Sequence, residues 1–367
     1  MTSPDLGADV LVAGAGPAGA ATALALARSG ADVVLVHPGT VPGWRVGESL
    51  APTARPLLER LGILDRVTHG PHAPCYGSRS GWAGTELAAS DSIRDPYGAG
   101  WHLDREQFDA ALRDAARDAG VRHRTGSVAR VTRVGHHWRA EVAAPRSAAP
   151  DVSAAYLVDA TGARARIARH LGARQNHTDH LVAIAALLPV RPNTATEHTS
   201  LVEAASFGWW YTAPLACGRY VVMAVTDADL VGPAGLRTPD GWWSALQATR
   251  HIRTRPAAHG AARPQRLTTL RAGTSHLLPA GGPGWLAVGD AAITTDPIAA
   301  RGITTALATG IAAADALADD AAGDDEALTR YTDLLALVHA EFLKARTACY
   351  RDGQRWGTPF WQRRTTP

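Results

Sequence analysis

The stretch GAGPAG at residues 14–19 constrains the fold more than any other part of this 367-residue sequence. A short apolar run at 9–13 precedes it, and a segment rich in helix-forming residues at 18–29 follows it. Gly30 ends that segment, and a second apolar run occupies 33–36. Strand, glycine-rich turn, helix and strand in this order predict a βαβ unit whose turn holds the pyrophosphate of a dinucleotide.

The glycines of this turn have distinct physical roles. Gly14 permits the tight turn, Gly16 lets the backbone approach a pyrophosphate, and Gly19 lets the helix pack closely on the strand. At the end of the second strand, where an acidic side chain would hold the ribose hydroxyls, the sequence has His37. A neutral imidazole binds a ribose more weakly than a carboxylate does, so cofactor affinity is expected to be modest unless other contacts compensate. The predicted cofactor-binding residues of this region are Gly14, Gly16, Pro17, Ala18, Gly19 and His37.

A second signature lies near the other end of the chain. The sequence GWLAVGDAAITTDPIAARGITTALATG at 284–310 resembles the second flavin-binding signature of the FAD-dependent aromatic hydroxylase superfamily. This resemblance implies that Asp290 holds the ribityl or pyrophosphate region of FAD. It also implies that a helix beginning after the Asp296-Pro297 pair directs its N-terminus at the flavin ring, where its dipole would stabilise a reduced, anionic flavin. The residues assigned to FAD here are Gly289, Asp290, Pro297, Gly302 and Ile303.

Three further stretches resemble the same superfamily, in the same order along the chain. WRVGESL at 44–50 resembles the cofactor-adjacent segment of flavin-dependent halogenases and related hydroxylases. HLDREQFDAALRDAA at 102–116 resembles the helix whose arginine touches FAD, and YLVDATGARA at 156–165 resembles the strand that returns the chain to the nucleotide domain. The residues that these stretches assign to FAD are Arg45, Gly47, Glu48, Ser49 and Arg105.

The source of electrons follows from what the sequence lacks. No second G-x-G-x-x-G follows a strand, so a separate NAD(P)H domain is not expected. Electrons are expected from transiently bound NADPH or NADH, from a separate flavin reductase, or from the substrate itself.

The segment FGWWYTAPL at 207–215 concentrates aromatic residues. Flavin-dependent tryptophan halogenases carry a W-x-W-x-I-P box between flavin and substrate. Aligned on the proline, Trp209 and Pro214 match this box, whereas Tyr211 and Ala213 replace its second Trp and its Ile. Trp209 and Tyr211 alternate along a predicted strand, so both are expected on the same face, where they would either line a substrate pocket or pack in the core.

The halogenase resemblance also demands a lysine, which handles hypohalous acid beyond the Gly-Glu-Ser segment. The corresponding region, 51–87, contains no lysine, and Lys344 is the single lysine of the chain. Arginine is a poor replacement because it stays protonated. The sequence therefore favours hydroxylation over halogenation.

The nearest resemblance is to flavoproteins that mature the quinone cofactors of amine and amino-acid oxidases, through GSRSGWAG at 77–84, the 207–215 segment and the 284–310 signature. It implies an FAD-dependent monooxygenase in which reduced FAD and O₂ form a C4a-hydroperoxide that attacks an electron-rich ring. The expected substrate is an indole, tryptophan or phenol, either free or within a peptide or natural-product intermediate. The alternatives are a flavin-dependent halogenase, an FAD-dependent reductase or dehydrogenase of the geranylgeranyl-reductase kind, and a non-catalytic flavin-binding partner.

Side chains of several regions are candidates for contact with the substrate. His102 is the candidate proton donor, with a histidine satisfied by hydrogen bonds as the alternative. The candidate pocket residues are Arg79, Trp82, Trp209, Tyr211 and Pro214.

The expected fold class is α/β, with a GR2-type Rossmann-like FAD-binding domain, an inserted α+β substrate domain containing a mixed or antiparallel sheet, and C-terminal helices. The FAD-binding domain is expected in three parts around the insertions. The predicted boundaries are 1–80, 101–170 and 281–320 for FAD binding, 81–100 for a substrate-side insertion, 171–280 for the substrate domain, and 321–367 for the helical C-terminal segment.

Composition excludes several other classes of protein. The net charge of +3 does not favour a nucleic-acid partner, and the three cysteines, Cys75, Cys217 and Cys349, have no metal-binding spacing. No basic and apolar leader is visible, and no run of about 18 apolar residues predicts a membrane span. A cytoplasmic protein without a metal site is therefore expected.

Overall fold

The computed structural model describes residues 6–39, 44–143, 151–189, 191 and 196–365. The strands are β1 (Leu6–Ala13), β2 (Val33–His37), β3 (Ser49–Leu50), β4 (Ala73–Cys75), β5 (Gly77–Gly81), β6 (Ala88–Asp91), β7 (Gly100–His102), β8 (Arg122–Thr125), β9 (Ser127–Val134), β10 (His137–Ala143), β11 (Val152–Asp159), β12 (Arg174–His177), β13 (Leu181–Pro189), β14 (Ser200–Ala205), β15 (Gly208–Leu215), β16 (Arg219–Asp227), β17 (Thr268–Arg271), β18 (Ser275–Leu278), β19 (Gly281–Gly282), β20 (Trp285–Ala287) and β21 (Ile293–Thr294). The helices are α1 (Pro17–Arg28), α2 (Arg55–Arg60), α3 (Leu64–Thr68), α4 (Arg105–Asp118), α5 (Arg166–His170), α6 (Pro239–Gln247), α7 (Thr254–Ala258), α8 (Gly302–Ala321), α9 (Ala327–Asp352) and α10 (Pro359–Thr365).

The nucleotide-binding part is built on an eight-stranded sheet. Its main order is β19-β20-β11-β1-β2-β8, in which β20, β11, β1, β2 and β8 run parallel, and the antiparallel pair β10 and β9 extends it from β11. The central strands β1, β2, β11 and β20 are largely apolar, as expected where helices cover a sheet, and α1 packs against both α8 and α4. Strands from residues 6 to 287 meet in this one sheet, which confirms the predicted α/β, Rossmann-like fold.

The inserted part is a mixed seven-stranded sheet in the order β17-β13-β16-β15-β14-β5-β6. Every pair is antiparallel except β14 with β5, which run parallel. Because β5 pairs with β14, this sheet already includes 77–81, slightly before the predicted insertion at 81–100. Two small three-stranded sheets, β12-β18-β21 and β3-β7-β4, connect the two parts.

The seven-stranded sheet is covered on both faces. One face carries Trp209 and packs against the C-terminal residues Phe360 and Trp361, both fully buried. The opposite face carries Trp210 and packs against Trp242 of α6. The C-terminal segment is therefore an integral part of the core and covers one face of the inserted sheet. Within the described residues, no helix has the length and apolar character needed to cross a membrane.

Candidate active site

The turn between β1 and α1 has the shape that an anion site requires. Gly14 has φ +111°, and a Cβ there would collide with the carbonyl oxygen of Ala160, so only glycine fits between the two loops. A Cβ at Gly16 would meet no described atom within 4 Å, which leaves room for a ligand. No described side chain caps the helix that begins at Pro17, so its first N–H groups are available to a phosphate.

Asp290 lies in the turn after β20, where the resemblance placed it. Its carboxylate is accessible to solvent, and among the described residues no group forms a hydrogen bond with it. Desolvation by the surrounding protein raises its pKa, while the nearby Arg105 opposes that change. The turn itself is fixed, because the Gly289 N–H donates to Thr309 Oγ1 at 2.9 Å. A carboxylate that is accessible and partly desolvated in this way can accept hydrogen bonds from the hydroxyl groups of a bound ligand.

The N-terminus of α8 provides a second group of unused donors. Within the described chain no side chain caps this helix at Gly302, and Thr304 Oγ1 in its first turn is buried without a partner there. Ile303 approaches Gly47 of the 44–50 segment, at 3.8 Å from the position of a Cβ there. Pro297 opens the short turn before this helix. These features fit a flavin ring at the N-terminus of α8.

His37 ends β2, beside the expected ribose position. Its Nδ1 accepts a hydrogen bond from Gly39 N–H at 3.1 Å, and its Nε2 lies 3.4 Å from Nδ1 of His123. Burial, then the charges of Arg113 and Arg117, lower the pKa of His37, and burial with the same arginines lowers the pKa of His123 to about 4. Both imidazoles are therefore neutral at pH 7, and positive charge surrounds this end of the site.

Arg45 and Arg105 share one buried acid. Asp109, on α4, accepts from Arg45 Nη1 at 2.9 Å and from Arg105 at 3.2 to 3.3 Å. Arg105 also donates to the carbonyl oxygens of Val46 and Gly47. The two arginines thus hold the 44–50 segment against α4.

A buried polar cluster joins that segment to the inserted sheet. Ser49 Oγ lies 2.8 Å from Tyr211 Oη and 3.2 Å from His102 Nδ1. Glu48, 2% exposed, accepts from the Gly47 N–H at 2.9 Å and lies beside Tyr211. Tyr211 is partly buried, whereas every other residue of β15 is buried. Residues predicted for cofactor and for substrate are therefore brought together here.

The electrostatics of the cluster keep most of its members neutral. Burial, followed by the positive charges of His198 and Arg255, lowers the pKa of His102 to about 3. Burial, followed by the charge of Glu48, raises the pKa of Tyr211 well above its usual value, and burial raises the pKa of Glu48. His102 is therefore a neutral imidazole at pH 7, and its role as the proton donor stays a prediction. Its Nε2 is buried and has no partner in the described part of the chain.

Trp209 and Tyr211 share a face of β15, as their alternation predicted. Trp209 is buried and donates from Nε1 to Tyr350 Oη at 3.0 Å. Trp82 donates from Nε1 to the Cys349 carbonyl oxygen at 2.7 Å, and its indole packs edge to face with Trp209 and with the C-terminal rings of Tyr350 and Trp361. Trp82 and Trp209 thus form a closed aromatic cluster behind Tyr211.

Two predicted pocket residues lie on the opposite face of the sheet. Arg79 pairs in register with Leu201, and Pro214 pairs with Tyr220, and both partners belong to the cluster around Trp242. Arg79 also forms an ion pair with Asp91 at 2.6 Å. The structure therefore does not bring Arg79 and Pro214 to Tyr211.

The sequence did not predict the contacts that anchor Asp296, which begins the short turn before α8. Asp296 is fully buried and accepts at Oδ2 from Arg346 Nε at 3.1 Å and from Tyr350 Oη at 2.8 Å. Arg346 also pairs with Asp179 at 2.6 Å. Arg346 and Tyr350 are one turn apart on α9, a spacing ordinary for any helix, so no local signal identified them.

Comparison with known proteins identifies the family of this chain. A family model described as tryptophan halogenase matches residues 9–71 and 80–367. The chain belongs to the tryptophan halogenase family. LodB of Marinomonas mediterranea, named as an FAD-dependent oxidoreductase, is 28% identical over 361 residues, which are 97% of this chain and 96% of LodB.

Two solved structures show how far the family fold extends over this chain. The myxobacterial chondrochloren halogenase CndH, an FAD-dependent halogenase, is 22% identical with a TM-score of 0.89, covering 99% of this chain and 87% of its own. QhpG, a peptidyl tryptophan dihydroxylase essential for tryptophylquinone cofactor biogenesis, is 24% identical with a TM-score of 0.77, covering 97% of this chain and 78% of its own. This tryptophan halogenase family member is an FAD-dependent enzyme with the predicted α/β fold.

Proposed function

We propose that this family member is an FAD-dependent monooxygenase that hydroxylates an electron-rich aromatic ring. The turn at 14–19 and α1 would hold the pyrophosphate, Asp290 the ribityl chain, and the N-terminus of α8 the flavin ring. FAD, when bound, supplies the activation of O₂. The protein supplies position, a water-poor site and control of protons.

The position of the single lysine is the observation that favours hydroxylation over halogenation. Lys344 lies on α9 with an exposed side chain, and its Nζ pairs with Glu341 at 2.6 Å. The described groups beside Tyr211 are a hydroxyl, an imidazole and a carboxyl, so none of them is an amine that could handle hypohalous acid. This supports oxygen transfer as the reaction.

Tyr211 is proposed to orient the aromatic substrate. Its hydroxyl is held by Ser49 and its side chain is only partly buried, which supports a hydrogen bond between this hydroxyl and an indole N–H or a phenol O–H of the substrate. Because its pKa is raised, the phenol stays protonated and donates as well as accepts. The neutral His102 lies within hydrogen-bonding distance of Ser49 through its Nδ1. It therefore orients the Ser49 hydroxyl, which in turn holds Tyr211.

Tryptophan within a polypeptide is the substrate that we propose first. QhpG acts on a peptidyl tryptophan, and its fold covers 97% of this chain. A free indole or phenol, or an intermediate of natural-product synthesis, is the second candidate. The reaction also requires O₂ and an electron donor, either NADPH or NADH or a separate flavin reductase.

The test uses the FAD-loaded protein, a flavin reductase with NADH, air and bromide, offered a tryptophan-containing peptide, free indole and a phenol. We expect one or two oxygen atoms in the product, derived from isotopically labelled O₂, and no bromine. Brominated product would establish the halogenase alternative instead. In a parallel reaction that offers an isoprenoid instead of the aromatic compounds, reduction of its double bond, without any modified aromatic product in the first reaction, would establish the reductase.

A further inference from the structure

A cavity of about 1000 Å³ opens on the surface where α5, β12 and the end of β17 meet. We name it the arginine pocket, after the five arginines that line it: Arg164, Arg166, Arg169, Arg174 and Arg271. Its other polar lining residues are two histidines and Gln175, and no carboxylate of the described residues lines it. Such a lining is suited to a ligand with several negative charges.

The guanidinium groups of the arginine pocket are unused by the protein. All five arginines are exposed, and within the described residues none of them forms an ion pair or a side-chain hydrogen bond. Elsewhere on the surface, arginines such as Arg60, Arg66 and Arg122 are paired with nearby aspartates at 2.5 to 2.7 Å. Like charges held together without counter-charges repel one another, so a bound anion would relieve that repulsion.

The arginine pocket adjoins the proposed flavin site through two connections. The short turn Gly162–Arg164 packs against the turn Gly289–Ala291, which carries Asp290. Gln175, in the lining, donates to Ser275 Oγ at 3.0 Å, and Ser275 bonds to Thr294 Oγ1 at 2.7 Å, just before Asp296. A ligand in the arginine pocket would therefore lie beside the turns that face the flavin.

We infer that the arginine pocket binds the phosphates of NADPH, the electron donor in the function proposed above, on which this inference rests. NADPH carries a pyrophosphate and a 2′-phosphate, which together match a concave site with several unpaired guanidiniums. The hydride that NADPH gives up on oxidation to NADP⁺ would reduce a flavin held next to the pocket. NADH lacks the 2′-phosphate, so the arginine pocket selects NADPH over NADH. NADPH is favoured over an acidic protein partner because the arginine pocket adjoins the turns that face the flavin, where a hydride donor is needed.

Binding is measured by calorimetry on the FAD-saturated protein with NADP⁺ and NAD⁺, which cannot be turned over. We expect NADP⁺ to bind at least about tenfold more tightly than NAD⁺, the effect of one phosphate held by charge-assisted hydrogen bonds. The double variant Arg166→Ser/Arg174→Ser should weaken NADP⁺ binding by about tenfold for each arginine removed. Arg130→Ser is the matched control, because Arg130 is exposed on β9 and outside the arginine pocket.

Equal affinities for NADP⁺ and NAD⁺, or an unchanged NADP⁺ affinity in the double variant, would overturn this inference. So would arginine-dependent binding of poly-glutamate by a protein that does not bind NADP⁺, because an acidic partner would then occupy the arginine pocket. These results are independent of the reaction itself. Hydroxylation driven by a separate flavin reductase would persist in either case if the proposed function is right.

Discussion

Tyr211 and Ser49, separated by 162 positions in the sequence, are joined by a hydrogen bond of 2.8 Å between their hydroxyl oxygens. Ser49 belongs to the segment predicted to contact FAD, and Tyr211 belongs to the inserted sheet. Their bond fixes the distance between the two parts at the point where a flavin and a substrate would meet. Its loss should therefore affect turnover more than folding.

Tyr211→Phe removes this hydroxyl while keeping the ring. We expect the rate of product formation to fall by about tenfold to a hundredfold, the effect of one lost orienting hydrogen bond to a polar substrate atom. The affinity for FAD should change less than the rate, because the aromatic ring is kept and Ser49 retains its contact with His102. Steady-state product analysis and a fluorescence titration with FAD measure these two quantities.

Thr212→Val provides the control for that experiment. Thr212 is the next residue of β15 and points to the opposite face, where its Oγ1 is buried without a partner in the described residues. Its replacement should leave activity unchanged and stability equal or slightly greater, since a buried unpaired hydroxyl is lost. A fall in activity as large as that of Tyr211→Phe would show that perturbing the strand, rather than losing the tyrosine hydroxyl, is responsible.

His102 should make the folded state sensitive to acid. Its pKa is about 3 in the folded protein, against the ordinary value of 6.5 in the unfolded chain, so between these values the unfolded chain binds more protons. Stability is therefore fully present above pH 6.5 and falls as pH decreases toward 3, by up to about 1.4 kcal/mol per pH unit from this residue.

Urea unfolding at pH 7.5 and at about pH 5 measures this dependence, and His102→Asn isolates it from that of the other histidines. The variant should be less stable at pH 7.5 and should lose less stability on acidification. Parallel losses in the two proteins would mean that His102 is not the residue that binds the proton.

Local features of the fold could be predicted because their physical requirements are local. The turn at 14–19 needs glycine where a Cβ at Gly14 would collide with Ala160, and this requirement is visible as a spacing of glycines. The alternation of Trp209 and Tyr211 likewise predicted their common face. Each of these inferences needed only one strand or one turn.

The remaining features depend on how separate strands and helices meet. Arg79 lies away from Tyr211 because β5 pairs with β14 in a register that places it opposite Leu201, and sequence does not reveal that register. Trp209 was a candidate for the pocket wall, but Tyr350, 141 positions later, covers it. The partners of Asp296, Arg346 and Tyr350, lie 50 and 54 positions later on another helix, so the buried ion pair was not predictable from the sequence.

His37→Glu should tighten FAD binding. A carboxylate at the end of β2 would accept hydrogen bonds from the ribose hydroxyls and would lie among the positive charges of Arg113 and Arg117. We expect the dissociation constant of FAD to fall by about tenfold, as one charge-assisted hydrogen bond replaces a neutral one. His136→Glu, at an exposed position in a hairpin turn, controls for the change in net charge. Equal effects of the two variants would contradict a role for His37 at the ribose.

Asp296→Asn should destabilise the protein by about 3 kcal/mol, the lower end of the cost of breaking a buried ion pair. The amide keeps the shape and part of the hydrogen bonding, but Arg346 then has only Asp179 as a counter-charge among the described residues. Lys344→Ala, on the same helix, removes an exposed pair with Glu341 and should cost less than about 1 kcal/mol. Urea unfolding at pH 7.5 compares the two variants. Because Asp296 precedes Pro297 in the turn before α8, the affinity for FAD should fall in Asp296→Asn and stay unchanged in Lys344→Ala. Equal FAD affinities in the two variants would show that the buried ion pair does not support the cofactor site.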